Sequence, residues 1–211
     1  MLHNPPFAGG TNMETIPIAG AEIYYAKNFL SSEEATSLFN VLQAKCAWER
    51  RRAPFNHAVP RDEAYYGDAE TTYRYSRREY RPLAWIAELL SLKARVEEAT
   101  PEVAYSNSEL PKVGYNAVLC NLYRNGQDSV GWHADAEPEM GPVIASVSLG
   151  AERLFCLKGS HGAVAFAERL PHGSLLIMAG KTQQNFKHEV PKEPDVTGPR
   201  INLTFRHIQH T

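Results

Sequence analysis

His133-Ala134-Asp135 places an imidazole and a carboxylate two residues apart. In an extended segment such residues point to the same side, so the pair can share one metal ion. A second histidine from a distant strand would complete a set of two histidines and one carboxylate. That set leaves coordination positions open and suits non-heme iron(II) that activates oxygen. The candidate is His188, in Asn185-Phe186-Lys187-His188-Glu189-Val190; His161, His172 and His207 compete with it. His172 sits in Pro171-His172-Gly173, which reads as a turn before a strand. His207, next to Arg206, points away from that arginine if the strand is regular. The ordinary alternative for the H-x-D pair is a loop histidine hydrogen-bonded to a nearby carboxylate.

The segment Arg200-Ile201-Asn202-Leu203-Thr204-Phe205-Arg206 alternates strictly, with Arg200, Asn202, Thr204 and Arg206 on one face and the apolar residues on the other. Its polar side either lies in water, as in many antiparallel strands, or lines a pocket. In a pocket, two arginines could each hold a carboxylate through forked hydrogen bonds. A dicarboxylate such as 2-oxoglutarate needs that anchoring, because its charges cannot be buried unpaired. Asn121 and Tyr123 share a face in the same way and offer amide and phenol hydrogen bonds.

These residues need a frame. Residues 1–20 read as a loose lead-in. Ser31 and Glu34 form an S-x-x-E capping box, and the apolar residues behind it predict a helix to about Lys45. Residues 46–81 lack a helical period and read as loops and short strands. Pro82 can open a second helix with Leu83, Ile86, Leu89, Leu90 and Val96 as its apolar stripe, stopping before Pro101. From Tyr115 onward, short β-rich runs alternate with turns: 115–123, 143–149, 153–158, 163–166, 174–178 and 200–208. This texture predicts a sandwich or jelly-roll barrel.

The chain has 211 residues and a net charge of −2. That balance excludes a strongly basic coat protein but not a local basic groove. Arg50, Arg51, Arg52, Arg61, Arg74, Arg77, Arg78 and Arg81 crowd one stretch, as a solvated face or a phosphate-binding one. No run approaches the roughly 18 apolar residues of a membrane helix, so no membrane role is expected. No secretion signal is recognised, and Cys46, Cys120 and Cys156 lack C-x-x-C spacing and read as free thiols. The expectation is a monomer in the cytoplasm, or in the nucleus of a eukaryote.

Taken in order, Asn121-Leu122-Tyr123, His133-Ala134-Asp135, 144–150 (IASVSLG), 172–178 (HGSLLIM), His188 and Arg200–Arg206 resemble the AlkB family of Fe(II)/2-oxoglutarate dioxygenases, nearest its animal DNA-repair branch. The resemblance covers roughly residues 55–208. It implies that His133, Asp135 and His188 hold iron, and that Arg200 and Arg206 anchor 2-oxoglutarate with help from Asn121, Tyr123, Asn202 and Thr204. It implies O2 as co-reactant, and a mainly β fold with flanking helices. The core would be a double-stranded β-helix, of the jelly-roll type, within one domain over 21–211. The lid would span about 46–81 and the catalytic jelly roll about 112–208.

The same resemblance implies oxidative dealkylation of bases such as 1-methyladenine and 3-methylcytosine in damaged DNA. RNA demethylation, protein hydroxylation and non-catalytic binding of damaged strands are the alternatives. Tyr66-Gly67-Asp68 and 72–76 (TYRYS) resemble the family's nucleotide-recognition lid. Tyr75 would stack on the flipped base, and Tyr73 and Ser76 would touch the strand. Two departures stand out. Ala136 occupies a position where the repair branch usually carries a second aspartate, and Glu137 is the candidate to compensate. Before His57-Ala58-Val59-Pro60 the loop is short, with Phe55 as its one large apolar residue, which favours single-stranded DNA over duplex as partner.

Overall fold

A short β-rich run cannot bury a face by itself, and in this chain the runs do so by pairing into two facing sheets. The computed structural model describes residues 12–51, 59–75, 78–105, 114–159 and 162–209, with 73–75 and 78 as backbone only. In chain order the elements are β1 (Glu14–Ile16), β2 (Glu22–Ala26), α1 (Ser32–Lys45), β3 (Asp62–Gly67), β4 (Tyr73–Tyr75), β5 (Arg78–Tyr80), α2 (Ala87–Ala99), β6 (Ala117–Tyr123), β7 (Val130–His133), β8 (Ile144–Gly150), β9 (Arg153–Gly159), β10 (Val164–Leu170), β11 (Ser174–Ala179), α3 (Thr182–Asn185), β12 (Phe186–Val190) and β13 (Arg200–Arg206). The major sheet has the order β1-β2-β11-β8-β13-β6-β3, the minor sheet β10-β9-β12-β7, and β4-β5 is a separate hairpin. Their antiparallel strands form the double-stranded β-helix that the family resemblance implies.

β13 shows how the layers arise. Ile201, Leu203 and Phe205 face the helical side and join a core with Ala35 and Leu42 of α1 and Leu89, Leu92 and Val96 of α2. A second core, with Ile144, Phe155, Leu157, Leu176 and Met178, lies between the sheets. The polar face of β13 is not in water: Arg200 is 1% exposed and Arg206 5%. Burying two guanidinium groups is affordable only where partners await them.

Helix α1 starts at the expected capping box. Ser31 Oγ accepts from Glu34 N at 3.2 Å, and Ser31 N donates to Glu34 Oε2 at 2.9 Å. Two expectations change. The lead-in is partly ordered, since β1 pairs with β2, while residues 1–11 lie outside the described residues. Helix α2 begins at Ala87, not Pro82. Leu83 instead exchanges backbone hydrogen bonds with β3, donating to Tyr65 O at 2.9 Å and accepting from Gly67 N at 3.1 Å. The backbone stays extended until Ile86, and Leu83 and Leu90 are left exposed while Leu92 joins the buried stripe. Within 46–81, the stretch read as loops and short strands, Asp62–Gly67 is such a strand, at the edge of the major sheet and paired to β6.

Arg153 braces the minor sheet. It is 1% exposed, its Nε donates to Glu193 Oε2 at 3.0 Å, and its Nη2 donates to Asp128 O at 2.9 Å and Pro191 O at 2.6 Å. These carbonyls lie just before β7 and just after β12. Gly126 tightens the same joint: a Cβ there would meet Glu193 O at 1.7 Å. Arg153→Met is expected to destabilise the fold by about 3–5 kcal/mol, because Glu193 and the carbonyls lose a buried cationic partner. Urea denaturation measures this, and a loss under 1 kcal/mol would show that the brace is dispensable.

Candidate metal centre

β7 and β12 pair with His133 opposite His188. Each histidine therefore projects from the minor sheet into the space between the sheets, and their ring centroids are 4.2 Å apart. Asp135 follows β7 by two residues. One ligand atom from each of His133, Asp135 and His188 lies within 4.8 Å of the other two. The structure thus brings together the three residues that the sequence proposes.

Their protonation suits a metal. His133 Nδ1 lies 2.8 Å from Gly131 O. A carbonyl can only accept, so Nδ1 carries a proton and Nε2 is the ring nitrogen that can face a metal. Nε2 lies 3.7 Å from Asp135 Oδ1. His188 stacks on Phe155 with centroids 5.6 Å apart. Burial, then the neighbouring His133, pushes its pKa down to about 3, so it is neutral and ready to ligate. Its Nδ1 is buried without a hydrogen-bond partner among the described residues. For Asp135, burial acts to raise the carboxyl pKa. The Arg206 guanidinium and the two histidines outweigh it and hold Asp135 well below the usual range. Asp135 N also donates to Gln183 Oε1 at 3.0 Å. Two imidazoles and one carboxylate fit iron(II).

The competing histidines have other work. His172 Nδ1 accepts from Gly150 N at 2.8 Å and its Nε2 lies 3.1 Å from Thr36 Oγ1, so it joins a turn to α1. His207 Nδ1 lies 2.8 Å from Gly114 O. His161 lies outside the described residues.

Arg200, Asn202, Thr204, Arg206, Asn121 and Tyr123 line the same cavity as the triad. The two arginines are not equivalent. Arg206 Nη2 donates to Asp135 Oδ2 at 2.5 Å, so in this structure Arg206 orients a candidate metal ligand. Arg200 Nη2 donates to Ser148 Oγ at 2.9 Å, whereas its Nε and Nη1 are buried with no partner among the described residues. Its guanidinium lies over the Tyr123 ring at 5.3 Å. No carboxylate of the described residues forms an ion pair with it. A buried cation with idle donors calls for an anion, and the carboxylate of 2-oxoglutarate fits it. Asn202 works within the protein: Nδ2 donates to Ser146 Oγ at 2.7 Å, and Oδ1 accepts from Thr204 Oγ1 at 3.2 Å.

Glu137 is half-buried just beyond the triad. Burial raises its pKa first, and the charge of Asp135 adds to that rise. Its Oε2 is buried without a hydrogen-bond partner among the described residues. The β4–β5 hairpin pairs Tyr73 with Tyr80 and Tyr75 with Arg78. The side chains of Tyr73 and Tyr75, and all of Ser76, lie outside the described residues, as do Phe55 and His57. The hairpin base is tied down: Tyr80 Oη donates to Glu63 Oε2 at 3.1 Å, and Tyr80 meets Tyr65 edge-on with centroids 6.0 Å apart. Glu63 and Gln183 escape sequence reasoning, because their roles come from pairing across strands and loops; Arg61, read there as part of a solvated or phosphate-binding stretch, instead pairs with Glu63 and Asn121.

The sequence model of the 2OG-Fe(II) oxygenase superfamily matches residues 22–206. The alpha-ketoglutarate-dependent dioxygenase alkB homolog 3 of Bos taurus is 39% identical over 207 residues, 91% of this chain and 68% of the relative. The DNA oxidative demethylase ALKBH2 of Homo sapiens is 40% identical over 163 residues, 72% of this chain and 58% of the relative. Among solved structures, OsALKBH1 aligns with a TM-score of 0.67 at 18% identity, covering 94% of this chain and 100% of that one. A prolyl hydroxylase from Trichoplax adhaerens aligns with a TM-score of 0.57 at 14% identity, covering 89% and 83%. The last two show a shared fold.

Proposed function

Because the chain belongs to the 2OG-Fe(II) oxygenase superfamily, among its AlkB-like dioxygenases, we propose that it turns that chemistry on N-alkylated nucleic-acid bases such as 1-methyladenine and 3-methylcytosine. Relatives named as DNA oxidative demethylases support the reading. The single observation that carries the choice of base is Glu137. Its buried carboxylate oxygen beside the triad, without a hydrogen-bond partner among the described residues, suits a base made cationic by methylation.

Bound iron(II), with 2-oxoglutarate and O2, supplies the oxidising power that hydroxylates an N-alkyl carbon while 2-oxoglutarate becomes succinate and CO2. The chain's own residues do the rest. His133, Asp135 and His188 fix the metal between the sheets, and Arg206 holds Asp135 in its ligating orientation. Arg200 receives the far carboxylate of the cosubstrate. Buried apolar residues such as Phe155 and Met178 line the cavity of the triad and restrict water there. The hairpin of β4 and β5, anchored through Tyr80 and Glu63, carries Tyr73, Tyr75 and Ser76 as the strand-gripping lid.

We extend the reading to single strands in preference to duplex, since a wedge residue to open a duplex has only Phe55 as candidate. The test is a turnover panel of methylated single- and double-stranded DNA and RNA, read as base restored per succinate formed. The expected result is one base restored per succinate on single-stranded DNA, with less on duplex. Succinate formation indifferent to every strand would contradict the nucleic-acid reading, and preference for RNA would move the substrate class. Glu137→Gln is expected to slow demethylation of 3-methylcytosine about tenfold, the loss of one charge-assisted contact. Strand-independent succinate formation should persist; equal losses in both would remove Glu137 from the base.

A further inference from the structure

Arg61 Nε donates to Asn121 Oδ1 at 2.7 Å. Of the two terminal atoms of an asparagine, only the oxygen accepts, and a guanidinium can only donate. Asn121 is therefore locked with its oxygen toward Arg61 and its Nδ2 turned away. Asn121 is 6% exposed and lines the cavity with Arg200 and the triad. Nδ2 makes no hydrogen bond to any described residue, unlike that of Asn202, its partner across β6 and β13. Asn121 thus offers the cavity two idle amide N–H donors.

Arg61 is itself fixed. Its Nη2 lies 2.7 Å from Glu63 Oε1, and Glu63, 1% exposed, stands directly opposite Asn121 across β3 and β6. Glu63 also accepts from Tyr80 Oη at the hairpin base. With its charge matched by a buried carboxylate, Arg61 is poorly suited to hold an anion, but well placed to set the orientation of a neighbouring amide.

We propose that Arg61 is a positioning residue for 2-oxoglutarate: it holds Asn121 so that Nδ2 donates to the cosubstrate, and Glu63 fixes Arg61 for that task. Without Arg61 the amide can turn its oxygen toward a dianion, which repels it. The inference rests on the family's cosubstrate and not on the choice of nucleic acid as substrate.

The test is a double-mutant cycle read by anaerobic calorimetric titration of 2-oxoglutarate into the full chain loaded with Fe(II). Arg61→Met and Asn121→Ala should each raise Kd about tenfold. The double variant should match Asn121→Ala alone, because Arg61 acts only through that amide. In turnover, the KM for 2-oxoglutarate should rise in Arg61→Met while that for the methylated strand stays put. Multiplying effects, near one hundredfold in the double variant, would overturn the proposal in favour of direct contact, and so would an unchanged Kd in Arg61→Met. Should Arg61→Met fail to fold, Asn121→Asp decides. Aspartate keeps an acceptor for Arg61 but has no N–H, so its Kd must rise at least as far as in Asn121→Ala; wild-type affinity would overturn the proposal. Failure of the wild-type chain to bind 2-oxoglutarate would instead sink the cosubstrate assignment.

Discussion

His133→Ala is expected to abolish iron binding and succinate formation while leaving the fold intact. The His133 side chain is 20% exposed, and among the described residues its one hydrogen bond is to its own strand, at Gly131 O. Its removal therefore costs little packing and orphans no buried charge. Loss of an outer-shell partner typically costs about 10–100-fold in metal affinity or activity; loss of a ligand should exceed that. Asp135→Ala is a poorer probe, because it would also leave the Arg206 guanidinium buried without its carboxylate, a penalty of about 3–5 kcal/mol. Iron content after dialysis, with circular dichroism as the check on folding, measures the effect. Stoichiometric iron retained by folded His133→Ala would contradict the ligand set.

Arg200→Met should raise the half-saturating concentration of 2-oxoglutarate about one hundredfold, as two charge-assisted hydrogen bonds are lost. The same change should leave the ligand-free fold as stable as before, or more so. Arg200 is buried with two nitrogens unpartnered and no ion pair among the described residues, so replacing it with an apolar side chain removes a desolvated charge. Arg206→Met should behave oppositely, with a loss of about 3–5 kcal/mol as Asp135 is left alone. Thermal unfolding of the ligand-free variants separates the two arginines. If Arg200→Met destabilises as much as Arg206→Met, Arg200 is a structural residue and the cosubstrate anchor must lie elsewhere.

The sequence made β13 legible because its alternation is complete over seven residues, and it made the H-x-D pair legible because two-residue spacing has one meaning on a strand. It did not show that both faces of β13 are buried; that depends on the minor sheet closing over the polar side. The strands that carry the candidate metal ligands are harder to see. β7 contains Gly131 and is only partly buried, and β12 has five residues with a register irregularity after His188. Neither presents a clean period. β3 lies in a stretch that reads only as loops and short strands, and Asp62 and Glu63 open it with charge. Glu63 is nonetheless buried, through pairing with Arg61 and Tyr80, which no local pattern encodes. The start of α2 was placed five residues early because Pro82 satisfies the local rule for a helix start, while Leu83 pairs with β3. Asymmetry between Arg200 and Arg206 was equally invisible, since in sequence they occupy matching positions on one face.

The most direct test of the account is a crystal structure of the chain grown anaerobically with Fe(II) and 2-oxoglutarate. It should show one iron held by His133 Nε2, Asp135 and His188, with the remote carboxylate of 2-oxoglutarate on Arg200. Iron bound away from these three residues, or a cosubstrate whose carboxylates leave Arg200 without an anion, would contradict it.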